Sequence, residues 1–393
     1  ENDKWWGKGF TEWTSVGKAK KYFWGHYQPH VPADLGYYDL RLPQVREEQA
    51  VLAREAGVSA FCYWHYWFGN GKQLLEEPLK EVIRLGKPNF PFCLGWANHS
   101  WINKSWNSEK QMAMSKELIR QEYPGPEDID NHFYTMLPAF KDKRYFKLHG
   151  KLLFLIYSPM DIPDFSYFKE RWNMLAKDNG LSGFYFIANS EDITDLNKEE
   201  LKKYDAISLC RLYAPWKIEY GKIKLYWMYF RKVISLILGY SLNVVSYNKA
   251  INLIDSSFYE NEKVYPNIIP AWDNSPRRGP VAYIYKESTP SLFKKHVSMI
   301  LNRIRNKSDE DKVVFLKSWN EWAEGNYVEP DLKYGRAYLD VIKELLEDGG
   351  HIFHTSIDSE VIANLIARGA KKGVERAVLD AIQAVRGSFA MVI

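Results

Sequence analysis

With 393 residues, 46% hydrophobic and 16% aromatic, the chain holds ample apolar material for one large folded domain, and its composition excludes a disordered polymer. Lys and Arg total 53 against 49 Asp and Glu, a net charge of +4 with both signs interspersed, so there is no basic stripe to track a nucleic-acid backbone. Cys62, Cys93 and Cys210 lie singly in apolar runs, which argues against a disulfide framework or a zinc site and suits buried free thiols in the cytoplasm.

The chain opens on Glu1 rather than Met, and the aromatic stretch WWGKGFTEW is read as following a first strand that lies upstream of residue 1. A helix is predicted from Pro43 to a stop at Gly57, then a strand from Val58 (VSAFCYWHYWF). A second helix (LLEEPLKEVIRLG) leads to the strand FPFCLGWAN. After a polar loop, a helix over 130–140 precedes a strand over 152–157, and a helix over 165–179 precedes a strand over 184–189. A strand over 205–210 ends in a long irregular insertion. VYPNIIPAWDN (from Val264), the helix SLFKKHVSMILNRIRN and the strand VVFLKSWNEW (from Val313) complete the series. Strands alternating with helices predict a (β/α)8 TIM-type barrel over residues 1–346, with the eighth strand supplied upstream. Residues 347–393 are poor in Trp and Tyr and are read as an unrelated α/β fragment. The apolar, basic segment 222–240 is interrupted by Lys224, Arg231 and Lys232, short of the ~20 apolar residues of a membrane span. It fits either a barrel-covering helix or a peripheral membrane contact.

In such a barrel the active site lies at the C-terminal ends of the strands. There the last strand runs into Trp319-Asn320-Glu321-Trp322-Ala323-Glu324-Gly325. Glu321 and Glu324 are the candidate catalytic pair, because glycoside cleavage needs one carboxyl to protonate the leaving oxygen and a second group as base or nucleophile. Strand side chains alternate in direction, so the backbone must turn between these two acids, as Gly325 permits. The same acids also suit solvated loop charges or helix caps. Aromatic residues beside polar ones at the other strand ends give candidate sugar-binding positions. These are Trp6, Glu12 and Trp13 in the opening, Tyr63 and His65 after the second strand, and Trp96, Asn98 and Trp101 after the third. Trp272 and Asp273 follow the seventh strand, and Trp319, Asn320 and Trp322 flank the acid pair. Any one cluster alone equally suits core packing. No HExxH motif, GxGxxG or Walker loop is present, so no metal or cofactor is predicted. The expected partner is a glycan.

Taken together, WWGKGFTEW, GHYQPHVPADLGYYDLR, FCYWHYWF, FPFCLGWAN, AWDNSPRR and SWNEWAEGNYVEPD resemble the WbsX-like family, whose domain is related to glycoside hydrolase family 99. The resemblance spans residues 1 to about 345 and implies a (β/α)8 barrel and a role in bacterial O-antigen or capsule polysaccharide. Family 99 enzymes are retaining endo-α-mannosidases with a Glu-Trp-His-Glu motif, to which Glu321-Trp322-Ala323-Glu324 is similar. The resemblance implies that Glu321 removes the sugar 2-hydroxyl proton, O2 displaces the leaving group through an anhydrosugar, and Glu324 protonates the departing oxygen. Ala323 stands where that motif has His. Asn98-His99-Ser100-Trp101 stands where WbsX-like relatives commonly read Asn-Glu-Asn-Trp. Members are often labelled glycosyltransferases, so transfer to an acceptor and a non-catalytic glycan-binding role remain alternatives to hydrolysis. HIFHTSIDSEVIANLIARG in the tail resembles part of the glutaminase domain of amidophosphoribosyltransferase without its catalytic Cys, as expected of a fused or mis-joined fragment.

Overall fold

The computed structural model describes residues 2–107, 112–219 and 224–348; the predicted separate fragment, from 349 onward, lies outside the described residues. Seven parallel strands follow one another across the main sheet in chain order. They are β1 Phe61–Trp67, β2 Phe92–Trp96, β3 Lys151–Ile156, β4 Phe184–Ser190, β5 Ala206–Leu209, β6 Val264–Ile268 and β7 Phe315–Leu316. Each overlaps an apolar run predicted as a strand. β2 and β6 are buried at every position, as parallel strands covered on both faces require. Parallel neighbours need crossovers, and helices supply them. Pro43–Glu55, with Pro at its first turn, leads into β1, and Glu77–Leu85 ends on Gly86 at φ +65° before β2. Pro126–Phe140 precedes β3, Phe165–Asp178 precedes β4, and Pro290–Ile304 precedes β7.

This is the strand order of a (β/α)8 barrel with seven strands in the described chain. β7 and β1 are not paired with each other among the described residues, and side chains fill the seam, with the Phe61 and Trp319 rings 5.2 Å apart. The predicted polar loop after β2 is in part an antiparallel hairpin, Trp101–Asn107 with Met112–Ile119. Its sequence lacks a sustained apolar alternation, so backbone pairing and not a readable buried face defines it. The insertion after β5 contains the helices Lys224–Leu238 and Tyr247–Ile254, and a short parallel pairing of Val244–Ser246 with Ile284–Lys286 brings it beside the end of β6.

Large aromatics fill the structure where small residues leave room. Gly95 of β2 has no side chain because a Cβ there would stand 2.9 Å from the Trp64 ring, whose other neighbour is Tyr157 with ring centroids 5.6 Å apart. Outside the sheet, Trp172 is fully buried among Phe168, Phe154 and Phe184, at ring distances of 4.6, 4.9 and 5.2 Å. Trp172→Ala is expected to lower stability by about 3–5 kcal/mol in urea titration, the range for emptying a buried aromatic site.

Candidate active site

Beyond β7 the chain makes a tight excursion. Asn320–Glu321 pairs antiparallel with Asn326–Tyr327, and Trp322–Glu324 forms a single 3-10 turn closed by Gly325 at φ +55°. That glycine has no substitute, because a Cβ would lie 2.8 Å from the Asp273 Cβ. The Asp273 N–H donates to the Glu324 carbonyl at 2.8 Å, which fastens the turn to the end of β6. The turn brings Glu321 and Glu324 to the same side, where both meet Arg277 from the short helix Ser275–Arg278.

Arg277 is the centre of this cluster. Its Nη1 donates to Glu324 Oε1 at 2.7 Å, and its Nη2 to Glu321 Oε2 at 2.9 Å and Glu12 Oε1 at 3.2 Å. Glu12 also accepts the Ala323 N–H at 2.8 Å, so the N-terminal segment is tied to the same turn. The Arg277 side chain keeps 41% of its surface exposed although protein packs round most of it, which describes an open concave site. Burial, Glu321's charge and, more weakly, that of Glu324 push the Glu12 carboxyl up to about 7, against the pull of Arg277 and the Ala323 N–H. Glu324 is likewise raised, first by burial and then by Glu321, with Arg277 and Lys317 opposing. Burial works against the Lys317 ammonium, yet Cys210, Glu324, Glu321 and Tyr157 outweigh it and push its pKa up to about 12.

A second layer fixes the turn from behind. Glu329, 2% exposed, accepts hydrogen bonds from Trp319 Nε1 (2.9 Å), Trp322 Nε1 (2.7 Å), Gln49 Nε2 (2.6 Å) and the Tyr38 hydroxyl (2.8 Å). Asn320 Nδ2 donates to that same hydroxyl at 3.0 Å, and Trp13 Nε1 to the Tyr38 carbonyl at 2.7 Å. Asp273 is held by His26 and by Gln28 Nε2, both at 2.7 Å, and by the Ser275 N–H at 3.0 Å. Burial would raise the Asp273 carboxyl, but these partners, His26 foremost, hold it below the usual carboxylate range.

The residues singled out in the sequence do not all share one place. Glu12, Glu321 and Glu324 converge on Arg277, whereas Trp13, Trp319, Asn320, Trp322 and Asp273 support them from the second layer. Trp101 joins Tyr66 and Trp5 in an aromatic wall, with ring centroids 5.2 and 6.0 Å away, and Trp6 stands half-exposed against Phe10. Trp272 is buried, with the Lys317 ammonium 5.9 Å from its ring. The remaining four lie elsewhere. His65 pairs with His132 behind β1, Nε2 to Nε2 at 2.8 Å, and burial pushes the His65 pKa down to about 3. Trp96 is buried against Phe168 and His132, and Asn98 clamps the backbone of Ser158 and the Tyr123 hydroxyl. Tyr63 packs on Phe61 and Phe92, within electrostatic reach of Arg46 and Arg144 rather than of the acid cluster.

Sequence reasoning did not single out Arg277, Tyr66, Lys317 or Glu329. Arg277 carried a usable signal, being a cation in AWDNSPRR just past a strand end. Tyr66 faces Glu321 and Glu12, and burial together with their charge raises its hydroxyl pKa. Among the described residues no three His, Cys, Asp or Glu are arranged to hold a metal ion. A cavity of about 690 Å³ lies across the Asp273–Gly325 contact from the acid cluster and is lined by Phe23, Trp24, Tyr240, Trp272 and Tyr327 but by none of the three converging glutamates.

The fold is similar to that of a solved glycoside hydrolase-like protein at 16% identity, covering 85% of this chain and 99% of the other, with a TM-score of 0.53. The GH99 endo-alpha-mannosidase from Bacteroides thetaiotaomicron, in complex with bis-tris-propane, also matches at 14% identity over 82% of this chain and 88% of the other, with a TM-score of 0.47. The scaffold is thus of the TIM type. The chain belongs to the glycosyltransferase WbsX family, whose model matches residues 1–342. A relative from Xanthomonas campestris pv. campestris, the uncharacterized protein WxcX, is 31% identical over 352 residues, 88% of this chain and 47% of the relative. The chain spans about half the length of the curated relatives it matches.

Glu329 links this site to stability. Burial pushes its carboxyl up to about 7 against four opposing hydrogen bonds, so the folded state holds a proton that the unfolded chain releases near 4.5. Its contribution is therefore complete below pH about 4.5, is lost as pH rises to about 7, and is flat above that. Glu329→Gln is expected to remove a slope worth at most roughly 3 kcal/mol from the difference between urea titrations at pH 4.5 and 7.5. Parallel profiles for variant and parent would contradict this assignment.

Proposed function

We propose that the protein is a retaining, endo-acting glycosidase or transglycosylase of bacterial O-antigen or capsule metabolism, with Glu321 and Glu324 as its carboxylate pair. The observation that carries this reading is that both acids bond one guanidinium, so their carboxyls face one small volume. Two such groups on one sugar ring are what glycosyl cleavage requires. Glu324, whose raised proton affinity keeps it protonated beyond the usual carboxylate range, donates to the departing glycosidic oxygen. Glu321 accepts the 2-hydroxyl proton, O2 attacks C1, and the C1–leaving-group bond breaks to give an anhydrosugar. Water or an acceptor hydroxyl, giving its proton to Glu324, then opens that ring at C1, and O2 takes its proton back from Glu321; two inversions give retention, in hydrolysis and transfer alike. Trp101, Tyr66 and Trp5 offer the apolar faces against which a pyranose ring packs. The unpaired thiols of Cys62, Cys93 and Cys210 suit work in the cytoplasm.

A second reading, glycosyl transfer from an activated donor, rests on Arg277 itself, whose planar fork suits phosphate oxygens. In this structure that fork is engaged by three carboxylates, a balance that favours a neutral sugar over a diphosphate.

Glu321→Gln and Glu324→Gln are each expected to lower the release of reducing ends by about 10²–10⁴-fold while glycan binding, followed calorimetrically, persists. Turnover that survives both substitutions, or that requires a nucleotide-activated donor, sinks the glycosidase reading. Activity needs Glu324 protonated and is lost as pH rises through its raised value. Arg277→Met removes the cation that lowers that value, so the alkaline limb of the rate profile is expected to move to higher pH.

A further inference from the structure

The helix Lys224–Leu238 turns its apolar side to water. Trp227, Phe230, Val233, Ile237 and Leu238 recur at helical spacing, and all five are exposed, Ile237 to 76%. The polar residue Ser235 is instead fully buried, its hydroxyl accepting the Leu242 N–H at 3.3 Å. A helix that merely covers a barrel has the opposite arrangement, apolar stripe inward and polar residues outward. The stripe also continues onto a neighbouring loop. The Ser241 N–H bonds the Tyr22 carbonyl at 3.0 Å, the rings of Phe23 and Tyr240 are 6.5 Å apart, and next to them Trp24 stands 97% exposed.

Charge identifies what covers this surface. Residues 13–33 contain Lys18, Lys20 and Lys21 and no Asp or Glu, and residues 220–254 contain Lys222, Lys224, Arg231, Lys232 and Lys249 and likewise no acid. Two copies meeting face to face would set these cations against each other, whereas an anionic lipid surface takes both features at once. Apolar side chains enter the boundary between headgroups and acyl chains, and the lysines meet phosphates. We infer that the protein docks on an anionic bilayer through the helix Lys224–Leu238 and the loop that carries Trp24. No described helix is long and apolar enough to cross a membrane, so this contact lies on the surface. Phe23, Trp24 and Tyr240 also line the cavity of about 690 Å³, and docking sets the mouth of that cavity at headgroup level. The inference does not depend on the chemistry proposed for Glu321 and Glu324.

The full chain is expected to co-sediment with vesicles of phosphatidylglycerol and phosphatidylcholine at low salt, at least about tenfold more strongly than with phosphatidylcholine alone. The double variant Ile237→Glu/Leu238→Glu is expected to lose about tenfold or more of that partitioning, with an unchanged circular dichroism spectrum. Lys20→Glu/Lys21→Glu, two exposed polar positions of the Trp24 loop, tests the charge separately and is expected to weaken binding most at low salt. Equal binding to both vesicle types, or binding that neither double variant alters, overturns the inference. So does a dimer of the parent protein that Ile237→Glu/Leu238→Glu dissolves, which would give the surface to a second copy.

Discussion

Three carboxylates cannot share a concave site unless something holds their charges together, and Arg277 does so with one planar group. Like charges a few ångströms apart in a partly desolvated pocket repel by a few kcal/mol per pair. A guanidinium that reaches three partners at 2.7–3.2 Å offsets much of this, and what remains adds to burial, the larger cause, in raising the proton affinities of Glu12 and Glu324. The neighbouring structure exists to meet this constraint. The 3-10 turn aims two glutamates the same way, Gly325 lets that turn approach β6, and the Glu12–Ala323 bond draws the N-terminal segment into the same assembly.

Behind the open cluster lies an inner layer of groups that have little freedom. Glu329 uses both oxygens on four donors, two of them the indoles that bracket Glu321 in sequence. Asp273 is similarly saturated by His26, Gln28 and the Ser275 N–H. Acids whose proton affinities matter are left partly open to solvent, whereas acids whose position matters are buried and fully bonded. That division is how a barrel rim made of loops holds side chains as firmly as a strand would.

The strands were legible because parallel strands buried on both faces leave short, continuous apolar runs, and all seven described ones lie where such runs occur. The faces of those strands were not. FCYWHYW is aromatic at both phases of the alternation, so its sequence cannot say that Trp64 and Tyr66 turn inward while His65 and Trp67 turn toward His132. Trp96 escaped because its strand is buried at every position, so alternation carries no signal there. The acid pair was readable as a local i, i+3 pattern, but its cation was not, since Arg277 lies 44 positions from Glu321 and 265 from Glu12. Only tertiary folding brings those segments together. The helix Lys224–Leu238 shows the converse case. Its composition was plain in the sequence, yet which of its sides meets water depends on how Ser235 and its neighbours pack.

Asp273 and Gly325 both line the aromatic cavity, and Asp273 also holds the carbonyl of Glu324 in the acid cluster. A substitution that shifts Asp273 therefore reaches the cavity wall and the anchor of the Glu324 carbonyl together.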